Sequence, residues 1–236
     1  MIRTFFSPNP CSNLHQFLIE LARDTADAKP QTELGAFMAR HGSDKWGSWH
    51  NYTIVYERLF APFRQAAFSL LEIGIGTNFD DVPSSMGTNG VPGASLRAWR
   101  DFFPHAQIVG ADVDQRILFS EERIRTLFVD QTDPASIHAM WGSLGDEQFR
   151  VIIDDGLHTF EGNSTLLQNS LDHLAPGGYY IIEDLVLQPE NQARYEQLIV
   201  DLGLLGGIIQ LKHPSNVYDN CLLIAEKHGN MGSRSV

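Results

Sequence analysis

The apolar and polar positions divide the chain into a helical first quarter and an alternating remainder. In residues 12–62, apolar side chains recur every three to four positions, which predicts amphipathic helices. This spacing is found in Leu14, Phe17, Leu18 and Leu21, and again in Leu34, Phe37 and Met38. The segment 52–60 predicts a further helix that ends before Pro62. We expect residues 1–66 to form a helical cap over the main fold.

From residue 67 onward, short apolar runs alternate with helical segments, which is typical of parallel βαβ units. The expected strands are 68–73, 107–111, 125–129, 150–154 and 178–183, with helices that begin near Ser95, Pro134, Gly162 and residue 190. The last two apolar runs, 206–211 and 221–227, predict an antiparallel pair at the edge of the sheet. We therefore expect an α/β domain over 67–228, followed by a disordered tail at 229–236.

Acidic residues lie at the ends of three expected strands. The run LLEIGIGT (70–77) contains Glu72 and then a G-x-G turn, where the backbone must pass close to another group. IVGADVD (108–114) and VIIDDGLH (151–158) have the same form. Ligands bind beyond the carboxyl ends of the strands in open parallel sheets, so this arrangement predicts a cofactor cleft.

Composition excludes several classes of protein. The chain has 236 residues and a formal net charge of −12, and so acidic a surface repels phosphate backbones; we expect no nucleic-acid partner. It has two cysteines, far apart in sequence, which fits a reducing cytoplasm. No apolar run is long enough to span a bilayer, and the N-terminus has no secretory h-region. We therefore expect a cytoplasmic protein without a membrane span.

Five motifs occur together in a characteristic order. They are GSDKWGSWHNYT (42–53), LEIGIG (71–76), SLRAWRDFFPHAQIVGADVD (95–114), VDQTD (129–133), and IIDDGLH with IIEDL (152–158 and 181–185). In these motifs the chain resembles the class I S-adenosylmethionine (SAM) dependent methyltransferases. More narrowly, it resembles the metal-dependent O-methyltransferases that act on macrolide and related sugars. The resemblance implies a Rossmann-like, seven-stranded, mostly parallel sheet.

The chemistry of SAM agrees with the acids and glycines of this cleft. Glu72 can accept hydrogen bonds from the SAM ammonium, and Asp112 can bind both ribose hydroxyls. Gly74 and Gly76 allow close approach of the backbone. The resemblance adds further cofactor residues, namely Tyr52, Thr53, Ser95, Asp130, Gln131 and Asp155.

A second pair of acids predicts a metal site beside the cofactor. Asp154 and Asp155 follow one strand, and Glu183 and Asp184 follow its expected neighbour. Such crowded carboxylates repel one another unless they are protonated or neutralised by a cation, and oxygen ligands suit Mg²⁺. The resemblance selects Asp155, Glu183 and Asp184 as the ligands. Because side chains alternate along a strand, only one of Asp154 and Asp155 is expected to face the site.

His158, three residues beyond Asp155, is the candidate general base. In the hypothesised mechanism, the metal binds a vicinal diol, His158 removes a hydroxyl proton, and the oxygen attacks the sulfonium methyl in line. His158 and Asp155 are thus the predicted catalytic residues. The acceptor is a sugar, another polyhydroxylated natural product or a surface glycan.

Alternative functions remain open at this point. An NAD-linked dehydrogenase or epimerase is disfavoured because position 79 is Phe, where the dinucleotide fingerprint has its third glycine. A non-catalytic SAM-binding scaffold has no use for a carboxylate cluster. We also expect residues 78–94 to form a loop that acts as a lid, and the apolar face of 12–38 is a candidate homo-oligomer interface.

Three residues of the 42–53 motif have further interpretations. Lys45 is interpreted as one half of an exposed pair with Asp44. His50 is interpreted either as a site residue or as part of the core of the cap.

Overall fold

The computed structural model describes residues 4–6, 14, 17–18, 20, 32–186 and 188–228. Residues 14, 17, 18 and 20 are helical, as the spacing in this region predicts. The predicted disordered tail, 229–236, lies outside the described residues. No helix in the described ranges is long and apolar enough to cross a membrane.

Besides the helical residues just named, six α-helices and nine strands make up the described fold. The helices are α1 (Glu33–His41), α2 (Thr53–Phe60), α3 (Ala94–Phe102), α4 (Pro134–Leu144), α5 (Phe160–Gln168) and α6 (Pro189–Asp201). The strands are β1 (Thr4–Phe6), β2 (Ser69–Ile73), β3 (Gln107–Asp112), β4 (Ser120–Glu121), β5 (Ile124–Phe128), β6 (Phe149–Asp154), β7 (Leu174–Ile182), β8 (Leu205–Gln210) and β9 (Cys221–Glu226).

All nine strands belong to one sheet, in the order β1-β8-β9-β7-β6-β2-β3-β5-β4. The five central strands, from β7 to β5, are parallel, and the flanking strands run antiparallel to their neighbours. The α/β fold with a mostly parallel sheet is confirmed. The seven-strand count was too low because β1 and β4 are short edge strands with no apolar period of their own.

The position of the closing antiparallel pair also differs from the prediction. β9 lies between β7 and β8, and β1 pairs with β8 on its outer side. β8 is therefore not the edge of the sheet. β1 pairs with a strand more than 200 residues away, as in Thr4 with Ile209, and no local pattern could indicate such a contact.

The strand order places a crevice at the end of β2. The chain moves from β2 outward through β3 and β5, and then returns to the other side of β2 with β6 and β7. The loops that follow β2 and β6 therefore leave the sheet in opposite directions. This is the topological switch point at which open α/β sheets bind their ligands.

Each face of the sheet carries one hydrophobic cluster. α1, α2 and α3 cover the first face, and their side chains, such as Leu34, Tyr56 and Trp99, pack on Leu70 and Ile108. α4, α5 and α6 cover the second face. The first cluster also buries Leu14, Leu18 and Met38. These described apolar residues of 12–38 thus pack within the chain, and a homo-oligomer interface there stays a prediction.

Candidate functional site

A cavity of about 260 Å³ lies beyond the carboxyl ends of β2, β3, β5 and β6. Six of the predicted cofactor residues line it, namely Gly74, Gly76, Asp112, Asp130, Gln131 and Asp155. The segment that follows β2 contributes Val82, Pro83 and Ser84 to the same cavity. This segment contains turns but no helix, as predicted for the loop.

Gly74 is required by the geometry of the turn after β2. Its φ is +84°, and a Cβ atom there would lie 2.0 Å from the carbonyl oxygen of Asp155. Its amide also donates a hydrogen bond to the carbonyl of Ala111, at 2.8 Å. The turn is thus pressed between the ends of β3 and β6. Any side chain at position 74 would push the two loops apart.

Asp112 is held rigidly at the rim of the cavity. Its two carboxylate oxygens accept backbone hydrogen bonds from Ile75 and Asp114, each at 2.9 Å. Burial raises the pKa of this carboxyl, and the two amide donors partly oppose the rise. Each oxygen keeps a second lone pair, so the carboxylate can also bind vicinal hydroxyls.

Gln131 links the cavity to the loop that follows β6. Its side-chain oxygen accepts a 2.7 Å hydrogen bond from the amide of Leu157, and its nitrogen donates to Asp154 at 3.1 Å. Asp154 is 1% exposed, and burial raises its pKa to about 7. Asp154 therefore supports the loop from below, whereas Asp155 lines the cavity, as alternation along the strand predicts.

A second cleft, of about 490 Å³, adjoins the first and shares Gly74, Gly76 and Asp155 with it. It is lined by Ser95, His158, Glu183 and Asp184, together with residues of the 42–53 motif. One potential ligand atom from each of Asp155, His158 and Asp184 lies within 4.8 Å of the others. These three side chains form the chemical centre of the cleft.

His158 and Asp184 both adopt left-handed backbone conformations, each with φ of 57°. Side chains other than glycine adopt this region infrequently, and such strain is concentrated at functional sites. The result is that Nε2 of His158 lies 3.9 Å from Oδ2 of Asp184, across the loops that follow β6 and β7.

Glu183 lines the same cleft but is not one of these three side chains. One of its carboxylate oxygens contacts Nζ of Lys45 at 2.5 Å, and the other accepts a 2.5 Å hydrogen bond from the Tyr56 hydroxyl. The side chain is 1% exposed. Burial raises the pKa of Glu183 well above its usual range, although the charge of Lys45 opposes the rise. Of the three predicted metal ligands, the structure brings Asp155 and Asp184 together and directs Glu183 toward Lys45.

The interpretation of Lys45 as an exposed residue was wrong, because Lys45 is only 3% exposed. Its Nζ atom lies 2.5 Å from Asp155, 2.5 Å from Glu183 and 3.6 Å from Glu72. Burial disfavours the ammonium, but these carboxylates outweigh burial and hold the pKa of Lys45 well above its usual value. The carboxylate cluster is thus partly neutralised by a cation that belongs to the chain.

Three predicted cofactor residues lie behind the two cavities rather than on their walls. Glu72 is fully buried and accepts hydrogen bonds from Ser95 (2.7 Å) and from the indole of Trp99 (2.6 Å). Tyr52 donates a hydrogen bond to Asp184 at 2.8 Å. Thr53 is buried at the start of α2. Their assignment to the cofactor stays a prediction.

His50 belongs to the site rather than to the core of the cap. It lines the second cleft, and its Nε2 lies 3.4 Å from both Asp184 and Asp219. Its other ring nitrogen pairs with Asp44 at 3.1 Å. Burial disfavours the imidazolium, yet the Asp44 hydrogen bond and the charge of Asp184 prevail and raise the pKa of His50 to about 9.

The 42–53 motif thus mainly supplies side chains that contact the carboxylates after β7. Lys45 contacts Glu183, while His50 and Tyr52 contact Asp184. Sequence reasoning missed this role, and it missed Tyr56 altogether. The signal that could have indicated it is a lysine, a histidine and two tyrosines within twelve positions, in a chain with many acids at its strand ends.

Comparison with known proteins agrees with the geometry. No family model matches the chain. The chain is 36% identical over 196 residues to the 8-demethyl-8-alpha-L-rhamnosyl tetracenomycin-C 2'-O-methyltransferase of Streptomyces olivaceus. The aligned region covers 82% of this chain and 48% of that protein. The chain is also 37% identical over 158 residues to the demethylmacrocin O-methyltransferase of Streptomyces fradiae. That aligned region covers 67% of this chain and 37% of that protein. The chain therefore spans about half or less of the length of these curated relatives.

Among solved structures, the fold matches the MycE methyltransferase of the mycinamycin biosynthetic pathway in complex with Mg, SAH and mycinamycin VI. The TM-score is 0.64 at 25% identity, and the match covers 87% of this chain and 57% of that one. Together, these likenesses and the sheet order show that the chain has the fold of the class I SAM-dependent methyltransferases and that it resembles the macrolide and sugar O-methyltransferases.

Proposed function

We propose that this chain is a SAM-dependent O-methyltransferase that uses a divalent cation to methylate a hydroxyl of a sugar or another polyhydroxylated natural product or surface glycan. The observation that carries the proposal is the junction of the two cavities. Asp155 belongs to both, so a cofactor bound in the first would end where His158 and Asp184 meet.

The first cavity has the features that adenosine binding requires. Asp112 presents a carboxylate for the ribose hydroxyls, and Asp130 and Gln131 lie on the wall expected to face the adenine. Gly74 and Gly76 line the cavity without side chains at the point where the methionine part of SAM would pass. Ser95 lies in the adjoining cleft.

The donor set of the second cleft fits Mg²⁺. Asp155 and Asp184 supply carboxylate oxygens, the ligands that Mg²⁺ prefers, within reach of one another. Glu183 is the third candidate ligand. A bound Mg²⁺ would make a coordinated acceptor hydroxyl more acidic. The carboxylates would orient the acceptor, and His158 would take the hydroxyl proton on Nε2.

The walls of the second cleft suit a sugar attached to an apolar body. Trp49, Met86 and Val91 line it and are 43%, 46% and 45% exposed. By their names, the relatives described above methylate a rhamnosyl tetracenomycin and demethylmacrocin. We therefore favour a glycoside with vicinal hydroxyls as the acceptor.

The buried free thiol of Cys221 agrees with a cytoplasmic location.

The division into a cap within residues 1–66 and a SAM-binding domain over 67–228 remains part of the proposal, except that β1 belongs to the sheet of the domain. The cap helices share one hydrophobic cluster with the sheet, so we expect the two to unfold together. A single thermal transition that coincides by near-ultraviolet and far-ultraviolet dichroism would support this, and two separate transitions would contradict it.

The test begins with calorimetric titration of S-adenosylhomocysteine (SAH), with Mg²⁺ and after chelation, and with NAD as the control ligand. The proposal expects SAH to bind and NAD not to bind. Methyl transfer from SAM to a rhamnoside should then require the divalent cation and stop on chelation. Binding of NAD alone would favour a dehydrogenase or epimerase. Binding of SAH without transfer to any of a panel of diol glycosides would favour a non-catalytic SAM-binding protein.

A further inference from the structure

Lys45 joins the ends of three neighbouring strands through one buried ammonium group. Its Nζ atom contacts Asp155 after β6, Glu183 after β7 and, at a longer distance, Glu72 in β2. The side chains of Lys45, Glu72 and Glu183 are 4%, 0% and 1% exposed, so water screens these charges weakly. In the described residues, no other lysine or arginine is paired with these three acids.

Asp155 is shared between Lys45 and the chemical centre of the cleft. It contacts Lys45 at 2.5 Å and also lies within 4.8 Å of His158 and Asp184. Glu183 is not shared in this way, because Lys45 contacts one of its carboxylate oxygens and the Tyr56 hydroxyl donates to the other. A divalent cation that took both Asp155 and Glu183 as ligands would have to replace the ammonium of Lys45.

We propose that the ammonium of Lys45 and a divalent cation compete for the carboxylates of Asp155 and Glu183. Lys45 is then a positioning residue that sets the cation affinity of the site. This inference rests on the proposed function, since it takes Asp155 and Glu183 as cation ligands. It goes beyond that function because it assigns Lys45 as the group that occupies the position between Asp155 and Glu183 when no divalent cation is bound.

The competition follows from the charges present. Without a divalent cation, Lys45 pairs with the buried carboxylates of Glu72 and Glu183 and with the partly exposed carboxylate of Asp155. Leaving the two buried carboxylates without this cation would strongly destabilise the fold. With a divalent cation bound to Asp155, a nearby ammonium is repelled, and it must move toward Glu72 or toward solvent. Lys45 therefore stabilises the cation-free protein and weakens cation binding.

The test compares Mg²⁺ affinity, measured by calorimetry, in the wild type and in Lys45→Met. Methionine has a similar length and no charge. We expect Lys45→Met to bind Mg²⁺ at least tenfold more tightly than the wild type. Addition of Mg²⁺ should also raise its melting temperature by more than it raises that of the wild type, because the cation then neutralises carboxylates that have lost their lysine.

Two further variants act as controls. Lys212→Met removes the same charge from an exposed residue, and we expect it to bind Mg²⁺ as the wild type does. Lys45→Arg keeps a cation at the site, so its affinity should not exceed that of the wild type. Equal or weaker Mg²⁺ binding by Lys45→Met, in a variant that still binds SAH, would overturn the proposal.

A measurement on the wild type keeps the proposal testable if Lys45→Met does not fold. The chain has four lysines, so the ammonium signal of Lys45 can be assigned by proton–nitrogen NMR with single Lys→Arg variants. Competition predicts that saturating Mg²⁺ displaces the Lys45 ammonium, so its signal changes in chemical shift if it moves to Glu72 and disappears through exchange with water if it reaches solvent. A signal that keeps both its chemical shift and its intensity would contradict competition.

The outcomes also separate this inference from the proposed function. Wild-type protein that binds SAH and Mg²⁺, together with a Lys45→Met variant that binds Mg²⁺ no more tightly, would overturn only the inference. Protein that binds no Mg²⁺ in any variant would overturn both the inference and the metal role.

Discussion

The hydroxyl of Tyr52 donates a 2.8 Å hydrogen bond to the carboxylate of Asp184. The same hydroxyl oxygen accepts hydrogen bonds from the amides of Asp184 (3.3 Å) and Cys221 (3.2 Å). A residue at the start of α2 thus fixes both the side chain and the strained backbone of an acid that follows β7.

We predict that Tyr52→Phe lowers the rate of methyl transfer about tenfold, and that SAH affinity falls as well if Tyr52 binds the cofactor. Loss of the hydroxyl frees the Asp184 carboxylate to rotate and leaves buried donors unsatisfied, at a cost of about 1–3 kcal/mol in folding stability. Steady-state kinetics, SAH calorimetry and thermal unfolding measure these effects. Tyr218→Phe, at a side chain that is 72% exposed, is the control and should change none of them.

His158 offers the most direct test of the mechanism. We predict that His158→Asn lowers turnover by about 10²–10⁴, the usual range for loss of a general base. Asparagine tolerates the left-handed backbone better than alanine does, so the fold and SAH binding should persist. His105→Asn, at an exposed position before β3, should remain fully active. Full activity of His158→Asn would remove this residue from the mechanism.

The two glycines Gly74 and Gly142 should respond oppositely to alanine. Gly74→Ala places a Cβ atom against the backbone of Asp155 at positive φ, and we expect a loss of at least about 3 kcal/mol in folding stability. Gly142 lies in α4 with open space around it, so Gly142→Ala should stabilise the protein by about 0.5–1 kcal/mol. Denaturant unfolding distinguishes the two, and a neutral Gly74→Ala would contradict the close packing of these loops.

Arg116 ties the 78–86 segment to the turn after β3. Its guanidinium pairs with Asp81 (2.9 Å) and Asp114 (2.7 Å) and lies 3.9 Å from the ring centroid of Phe79. These contacts hold the segment over the first cavity.

We predict that Arg116→Met weakens SAH binding several-fold, mainly through faster dissociation, and exposes the segment to proteolysis. SAH should restore protection, as expected for a lid. Arg125→Met, which removes an exposed arginine paired with Glu147, is the matched control. Equal cleavage of the wild type and Arg116→Met, with and without SAH, would contradict the role of the segment as a lid.

The imidazole of His50 makes folding stability depend on pH. Its pKa is raised from 6.5 to about 9, so the folded protein binds a proton that the unfolded chain releases. The resulting stabilisation is fully present below pH 6.5 and is lost as the pH rises through about 9.

We predict that, in chelated protein, the stability difference between the wild type and His50→Asn shrinks by about 2–3 kcal/mol across this range. Urea unfolding at a series of pH values measures the difference. A difference that does not vary with pH would show that His50 is neutral in the fold.

The order and type of the main elements could be predicted from the sequence. The predicted strands 68–73 and 107–111 agree within one residue with β2 and β3, because each is an apolar run bounded by polar residues. α4 begins at Pro134, as expected, because proline favours the first helical turn. Asp112, Asp155 and the glycines meet at the carboxyl ends of the strands. This could be predicted because parallel strands all end on the same side of the sheet.

The sequence by itself determined the α/β class, the cofactor edge and the acids that surround it, because apolar period, turn residues and strand ends are local properties. Only the tertiary structure decided which groups face one another. It turned Lys45 inward, directed Glu183 to Lys45 and Tyr56, and placed His50 and Tyr52 on Asp184. Such contacts join residues more than a hundred positions apart. They are set by the packing of the cap against the sheet, and the local pattern of apolar and polar residues does not indicate that packing.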